Sequence, residues 1–171
     1  MAETSSEVLK RYLQDAIAAE KSFETQLQGF SREGDDSEAK AAFAQHATET
    51  RSQYERLTAR LEALGGGAST FKSFMAHVFG VSPKAAQVGH EAQERTTQNL
   101  IMAFSVENAE IAMYESLHTT AIAAGDQITA NLAKAIQAEE KRTADKVWSL
   151  IGPAARYAFA RVTEEPVQRG I

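Results

Sequence analysis

The sequence predicts an all-α protein, a four-helix bundle formed by a single domain over residues 1–171. Few residues break helices: the chain has only three prolines and ten glycines, and good helix formers such as Ala, Glu and Leu dominate. Apolar residues recur at steps of three and four over four long stretches, which is the period of a helix with one buried stripe. A length of 171 residues suits one domain with its own core.

The first two predicted helices form a hairpin. The first helix runs from Ser5 to Phe30, where the apolar period is continuous. Gly34 and the run Asp35-Asp36-Ser37 then supply a helix breaker and N-cap residues. The same period resumes over about 36–64, so we expect a second helix there. Because the turn is short, the two helices should be antiparallel.

A segment of a different kind follows, over about 65–90. Gly65-Gly66-Gly67 ends the second helix. The apolar piece after it is interrupted at Gly80, Ser82-Pro83 and Gly89, which favours a crossover containing one or two short helices.

The last part of the chain predicts a second hairpin. The helical period returns over about 91–123, and Gly125-Asp126 makes a tight turn into a fourth helix. Gly152-Pro153 is expected to stop that helix, leaving a short C-terminal helix (Ala154 to Val162) and a polar tail within 153–171.

Two antiparallel hairpins joined by one long crossover are the ferritin-like wiring of a four-helix bundle. Two alternatives fit the same helix pattern. One is a plain up-and-down bundle, and the other is a swapped dimer in which the crossover reaches a partner chain.

Composition and charge exclude several classes of function. The chain has no cysteine, so it has no disulfides, thiolate metal sites or cysteine nucleophiles, and any metal must be held by nitrogen and oxygen. The 18 basic and 23 acidic residues give a net charge of −5, which argues against general nucleic-acid binding. The start of the chain is polar, and no apolar run approaches 18 residues, so we expect a cytoplasmic protein without a membrane span.

Several polar residues fall on the apolar stripes, where charged side chains are rare. Taken singly, most such residues cap helices or extend to solvent. All four predicted helices contribute at least one of them, and Glu139 lies at the edge of a stripe. The candidate metal ligands are Glu20, His46, Glu49, Glu107, Glu110 and Glu140.

These candidates also lie at similar depth along the bundle. In the first hairpin, Glu20 is 14 residues before the turn near residue 34, while His46 and Glu49 are 12 and 15 after it. In the second hairpin, Glu110 and Glu140 are each 15 residues from the turn near residue 125. At the rise of a helix, these residues lie roughly 21 Å from the turns. One acidic layer across all four helices is therefore expected if the hairpins pack side by side.

Several carboxylates in an apolar bundle repel one another and resist desolvation unless cations neutralise them. Two divalent metal ions would do so. Carboxylate and imidazole donors suit iron or manganese, and zinc is compatible with the same donors.

The segments that carry these residues resemble signature blocks of the YciE/YciF-like family of ferritin-like proteins. The blocks are Asp15-Ala16-Ile17-Ala18-Ala19-Glu20, Ala42-Phe43-Ala44-Gln45-His46-Ala47-Thr48-Glu49-Thr50, Glu107-Asn108-Ala109-Glu110-Ile111-Ala112-Met113-Tyr114 and Ala138-Glu139-Glu140-Lys141. The resemblance implies a ferritin-like bundle, commonly dimeric, with a di-metal centre and a link to bacterial stress responses. It also implies that the six candidates are the ligands.

The chain departs from the wider ferritin-like pattern at two positions. His46-x-x-Glu49 reverses the Glu-x-x-His order of di-iron bundles, and Glu140-x-x-Thr143 has no histidine.

Two classes of function follow from these observations. The leading hypothesis is a cytoplasmic di-metal carboxylate protein that could react with oxygen or peroxide. The alternative is a non-enzymatic stress or assembly protein whose metal site is structural or vestigial, and a cage-forming iron store is a third, less favoured hypothesis. We also expect a homodimer, because the crossover and last segment hold a surplus of apolar residues: Phe71, Phe74, Phe79, Tyr157 and Phe159.

Overall fold

The computed structural model describes residues 3–67 and 90–164. They form four long helices, α1 (Ser5–Phe30), α2 (Ser37–Ala63), α3 (Arg95–Ala123) and α4 (Gln127–Thr163). One turn of 3-10 helix (Ala92–Glu94) leads into α3. The predicted all-α four-helix bundle is confirmed. The predicted crossover and its short helices lie almost entirely outside the described residues.

Local signals in the sequence set the helix ends. Thr4 forms a capping box with Glu7 at the start of α1, and the Asp36 and Asp126 side chains accept backbone N–H bonds at the starts of α2 and α4. Gly125 adopts a φ of 75° in the tight turn before α4, a conformation that other residues rarely take.

The helices pack as two antiparallel hairpins placed side by side, with α1 against α3 and α2 against α4. At one end of the bundle, Gly34 lies against Thr96 at the start of α3. At the other end, Arg60 near the end of α2 binds Asp126 at the start of α4. The start of α2 and the start of α3 therefore lie at the same end of the bundle, and α2 ends at the other. These two helices run parallel, as the ferritin-like wiring requires.

The apolar core is divided into two clusters. The first cluster lies at the end of the bundle that contains the α1–α2 turn and includes Phe23, Leu27, Phe30, Phe43, Leu100, Val106 and Val147. The second cluster lies at the other end and includes Leu9, Leu13, Leu57, Leu61, Tyr114, Leu117 and Ile136. A layer of buried polar side chains separates them, and this layer contains the candidate ligands.

The prediction that the fourth helix stops at Gly152-Pro153 is wrong, because α4 continues through both residues to Thr163. In a helix, the Cδ atom of a proline clashes with the Cβ atom of the residue before it. Gly152 has no Cβ, so this part of the clash is absent before Pro153. Ala154 and Ala158 are buried on the same stripe as Leu150. This packing outweighs the backbone hydrogen bond that Pro153 removes, and the residues after it are the last turns of α4 rather than a separate helix.

Among the helices of residues 3–67 and 90–164, none combines the length and the hydropathy needed to cross a membrane.

Candidate metal centre

Five of the six predicted ligands meet in the polar layer between the two apolar clusters. Every helix of the bundle contributes: α1 at one position, α2 at one, α3 at two and α4 at one. None of these side chains is more than 4% exposed, although ionisable groups are almost never so fully buried without partners. The residues are Glu20, His46, Glu107, Glu110 and Glu140.

The tightest part of this layer joins three helices. The His46 Nε2 atom is 3.2 Å from Glu107 Oε1 and 3.9 Å from Glu140 Oε2. A ring nitrogen of His46 and one carboxylate oxygen each of Glu107 and Glu140 lie within 4.8 Å of one another. The His46 and Phe23 rings pack nearly perpendicular to each other, with 5.2 Å between the ring centroids, and this contact holds the imidazole in its orientation.

The donor atoms of the layer are largely without hydrogen bonds. Within residues 3–67 and 90–164, no hydrogen bond of normal geometry is formed by either oxygen of Glu107 or Glu110, by either ring nitrogen of His46, or by one oxygen each of Glu20 and Glu140. A buried polar atom left unpaired costs about 1–3 kcal/mol. Oxygen and imidazole nitrogen are the donors that iron, manganese and zinc accept, so the residues present fit a divalent metal centre.

Burial and mutual repulsion both act against ionisation in the layer. Burial raises the pKa of Glu20 and Glu110 well above the usual value for glutamate, and each is raised further by the neighbouring charge of the other layer carboxylates. Burial also raises the pKa of Glu107, as do Glu140 and Glu110. Without a cation, these carboxyls therefore favour the protonated form, and a divalent cation would replace the protons.

Two hydrogen-bonding residues support the layer from outside. Tyr114, which is fully buried, donates its phenol O–H to Glu20 Oε1. Burial raises the pKa of the Tyr114 phenol well above its usual value, so it remains a donor. Gln53 donates from Nε2 to Glu140 Oε1, and the same nitrogen lies 3.2 Å from Glu139 Oε2. These bonds hold two carboxylates, Glu20 and Glu140, in fixed positions.

Glu139 is half-buried beside the layer rather than within it. Arg56 binds it with both terminal nitrogens of the guanidinium, with 3.0 Å from Nη1 to Glu139 Oε1. This ion pair joins α2 to α4 at the level of the layer.

The structure does not bring Glu49, the sixth predicted ligand, into this group. Glu49 is exposed on α2 and accepts a hydrogen bond from Gln45 Nε2 at 2.9 Å. The inward stripe of α2 continues from His46 by a step of four to Thr50 and then by a step of three to Gln53, both buried. A step of three from His46 instead rotates Glu49 off the stripe.

Gln53 is the residue of the layer that the sequence interpretation does not single out. The signal was present, since alternating steps of three and four from Phe43 and His46 reach Thr50, Gln53 and Leu57. A search restricted to acids and histidines passes over an amide, although an amide is well suited to hold a ligating carboxylate.

Comparison with protein families shows the family to which the chain belongs. A profile for a domain of unknown function, DUF892, matches residues 4–159. The chain is a member of the DUF892 family. No curated protein matches its sequence.

Solved structures place this DUF892 protein among ferritin-like bundles. It is similar to a protein from Xanthomonas campestris pv. campestris, with 26% identity over 93% of this chain and 98% of that one and a TM-score of 0.78. It is also similar to the Escherichia coli stress protein YciF, with 26% identity over 96% and 100% of the two chains and a TM-score of 0.77. A Dps protein from Vibrio cholerae, a ferritin-like diiron-carboxylate protein, shares the fold at 18% identity over 86% and 91% of the chains and a TM-score of 0.65.

Proposed function

We propose that this protein binds two divalent metal ions, iron or manganese, in the polar layer of the bundle. The observation that carries the proposal is the set of buried donor atoms that four helices direct to one level and that lack hydrogen bonds within the described part of the chain. The ligands proposed are Glu20, His46, Glu107, Glu110 and Glu140. Zinc would satisfy the same donors, and metal analysis distinguishes the three.

Each residue of the layer has a distinct task in this proposal. Glu107 and Glu110, one turn apart on α3, supply four carboxylate oxygens to the centre of the bundle. His46 supplies a nitrogen whose orientation the Phe23 contact sets. Tyr114 and Gln53 hold Glu20 and Glu140 by hydrogen bonds. Iron or manganese bound here would supply electron transfer to oxygen or peroxide.

The relatives support this role. The similar protein from Escherichia coli is described as a stress protein, and the Vibrio cholerae protein with the same fold is a diiron-carboxylate protein. We therefore propose that the reaction with oxygen or peroxide serves a stress response. We place it in the cytoplasm, since a chain without cysteine needs no oxidising compartment.

Metal analysis of protein purified without chelators tests the binding proposal directly. We expect about two iron or manganese ions per chain, and a higher melting temperature after either metal is added to the apo protein. Glu107→Gln should lose most of the metal, while Glu62→Gln, an exposed change on α2, should keep it. Near-zero metal in the purified protein, together with unchanged melting after addition of Fe(II) and Mn(II), would contradict the proposal.

We also propose that the protein is a homodimer. Several large apolar side chains of α3 and α4 are exposed, and Trp148, which is 64% exposed, packs against Phe104 in a tilted arrangement with 5.1 Å between ring centroids. Exposed apolar surface of this kind is typical of a protein interface. Light scattering should give twice the chain mass at micromolar concentration. A monomer would contradict the dimer, and a much larger particle would indicate a cage.

The same exposed surface favours a second candidate function, a non-enzymatic stress or assembly protein with a structural metal site. Trp148 and Phe159 on α4 are 64% and 58% exposed and could contact another protein. The double variant Glu20→Ala, Glu110→Ala separates the two candidates. If it loses the metal and also loses stress protection in cells, the metal carries the function; if protection survives, the second candidate is correct.

A further inference from the structure

A cavity of about 540 Å³ lies between α2 and α4, beside the polar layer. Cavities of this size are typical of sites that hold small organic molecules. Its inner wall consists of buried residues, Phe43, His46 and Val147, and the half-buried Ala42 adds to the apolar part of the wall. This part of the wall therefore suits the hydrocarbon portion of a ligand.

The charged side chains of the cavity favour a negative ligand. Three cationic side chains line it, Arg56, Arg142 and Lys146, against two carboxylates, Glu49 and Glu139. Arg142, Lys146 and Glu49 are exposed and form the outer rim, while Arg56 and Glu139 are half-buried. Because positive charge is in excess, the electrostatic potential of the cavity attracts anions and repels cations.

The three cations differ in whether they have partners. Arg56 binds Glu139 with both terminal nitrogens, so these two charges compensate each other. Lys146 lies 3.2 Å from Glu38, in an ion pair whose side chains are both more than half exposed, and such pairs are weak. The Arg142 guanidinium forms no ion pair or hydrogen bond within the described part of the chain. Arg142 is therefore available to bind a carboxylate from solvent, for which its planar group is well suited.

His46 gives the inner end of the cavity an unpaired polar group. It is 4% exposed, and its Nε2 atom is 3.2 Å from Glu107. The other ring nitrogen, Nδ1, forms no hydrogen bond with any residue that the structure describes. A molecule that fills the cavity contacts this ring, because His46 belongs to the wall. The cavity is thus apolar and partly polar at its inner end and cationic at its rim.

We propose that this cavity binds a small organic anion with an apolar body, a medium-chain carboxylate. The carboxylate lies at Arg142 on the rim, and the chain lies along Phe43 and Val147 toward His46. The inference goes beyond the metal-binding proposal and does not depend on it, because Arg142, Phe43 and Val147 are not among the proposed metal ligands.

Isothermal titration of the metal-free protein with three probes tests both parts of the ligand. Octanoate has a charged head and a chain, 1-octanol has the chain alone, and acetate has the head alone. We expect one octanoate per chain, binding of 1-octanol that is at least about threefold weaker, and no measurable binding of acetate. Equal affinity for octanoate and 1-octanol would overturn the proposal, since the cations would not select the ligand. Equal affinity for octanoate and acetate would overturn it as well, since the apolar wall would have no role.

Two variants locate the head of the ligand. Arg142→Gln should weaken octanoate binding roughly threefold to tenfold and leave 1-octanol binding unchanged. Arg161→Gln is the matched control, because Arg161 is an exposed arginine of α4 that does not line the cavity; it should bind octanoate as the wild type does. Wild-type affinity in Arg142→Gln, or an equal loss in Arg161→Gln, would overturn the proposal.

Two further variants test the chain and the sign of the charge. Ala42→Leu fills part of the apolar wall from a half-buried position and should weaken octanoate and 1-octanol alike, by at least about tenfold. Glu49→Gln removes a negative charge from the rim and should tighten octanoate binding about twofold, whereas Glu55→Gln, which is exposed on α2 outside the cavity, should not. Weaker octanoate binding in Glu49→Gln, or wild-type binding in a folded Ala42→Leu protein, would contradict the site.

Repeating the titrations after addition of Mn(II) separates this inference from the metal-binding proposal. If wild type binds Mn(II) but binds octanoate in neither form, the carboxylate site is overturned and the metal-binding proposal stands. If octanoate binds and Arg142→Gln weakens it while no metal binds, the carboxylate site stands and the metal-binding proposal fails.

Discussion

The apolar clusters and the polar layer of this bundle are built on opposite principles. In the clusters, large apolar side chains such as Leu13 and Leu117 are buried among other apolar side chains. In the layer, glutamates are buried just as deeply, yet most of their oxygens have no hydrogen-bond partner within the described part of the chain. The first arrangement stabilises the fold, whereas the second opposes it. The two ends of the bundle therefore hold the fold together, and the middle is the region that we propose to bind metal.

The largest expected effect comes from truncating an apolar cluster. Leu117 is 1% exposed in the second cluster, so Leu117→Ala should lower the free energy of unfolding by about 3 kcal/mol through lost burial and a cavity. Ile122→Ala is the matched control, because Ile122 lies on the same helix and is 49% exposed; it should change the free energy by less than about 0.5 kcal/mol. Denaturant titration measures both. Metal affinity should not change in either variant, and loss of metal in Leu117→Ala would break the separation between ends and middle.

A substitution in the layer should act in the opposite direction. Glu110 is 1% exposed and faces the charges of Glu20 and Glu140. Glu110→Gln keeps the shape and removes the cost of burying an ionisable carboxyl, so at pH 8 it should stabilise the apo protein by about 2 kcal/mol and should reduce metal occupancy. Glu62→Gln on the surface of α2 should do neither. If the apo form of Glu110→Gln were less stable than wild type, the layer would contribute to the fold and the comparison would fail.

The contrast between the ends and the middle of the bundle also explains which features of the fold and of the candidate site the sequence could predict. Apolar period and turn residues are enough to define four helices and their wiring, because each helix must bury its stripe. The same stripes carry Glu20, Glu107, Glu110 and Glu140 inward. Their assembly at one level follows from helix geometry, since residues at equal distance from a turn face each other.

Two features could not be predicted in this way. Glu49 has the same three-residue spacing from His46 that Glu110 has from Glu107, yet Glu49 is exposed and Glu110 is buried. Whether the second residue is buried depends on the side of the apolar stripe on which it lies. A spacing of three residues alone does not determine that side. The helix also continues through Pro153 because tertiary packing of Ala154 outweighs a local helix-breaking signal.

The pH dependence of stability should separate the layer from the rest of the protein. Because the folded-state pKa values of Glu20, Glu107 and Glu110 are raised above the unfolded value of about 4.3, the folded apo protein binds more protons than the unfolded chain between those values. Apo stability should therefore fall as the pH rises from the unfolded value to the raised values, by about 1.4 kcal/mol per pH unit for each carboxyl that is protonated only in the folded state.

Bound metal replaces those protons and should remove most of the loss. The gain in melting temperature on adding Mn(II) is therefore expected to be larger at pH 8 than at pH 5.5. Melting curves of apo and Mn(II)-loaded protein at the two pH values measure it, and Glu110→Gln should show a smaller difference than Glu62→Gln. A metal-induced gain that is absent, or equal at both pH values, would mean that the carboxylates do not share one site.

The smallest expected effect lies at the boundary between the regions, where Tyr114 belongs to the second apolar cluster and also donates to Glu20. Tyr114→Phe keeps the ring and removes the donor, so the free energy of unfolding should fall by only about 1 kcal/mol. Without that hydrogen bond, which lowers the pKa of Glu20, the carboxylate is less well fixed, and Mn(II) affinity should fall roughly tenfold. Tyr157→Phe, at a position that is 46% exposed on α4, should leave both quantities unchanged. Isothermal titration with Mn(II) decides the assignment, because wild-type affinity in Tyr114→Phe would make Tyr114 a packing residue of the apolar end and not a support of the layer.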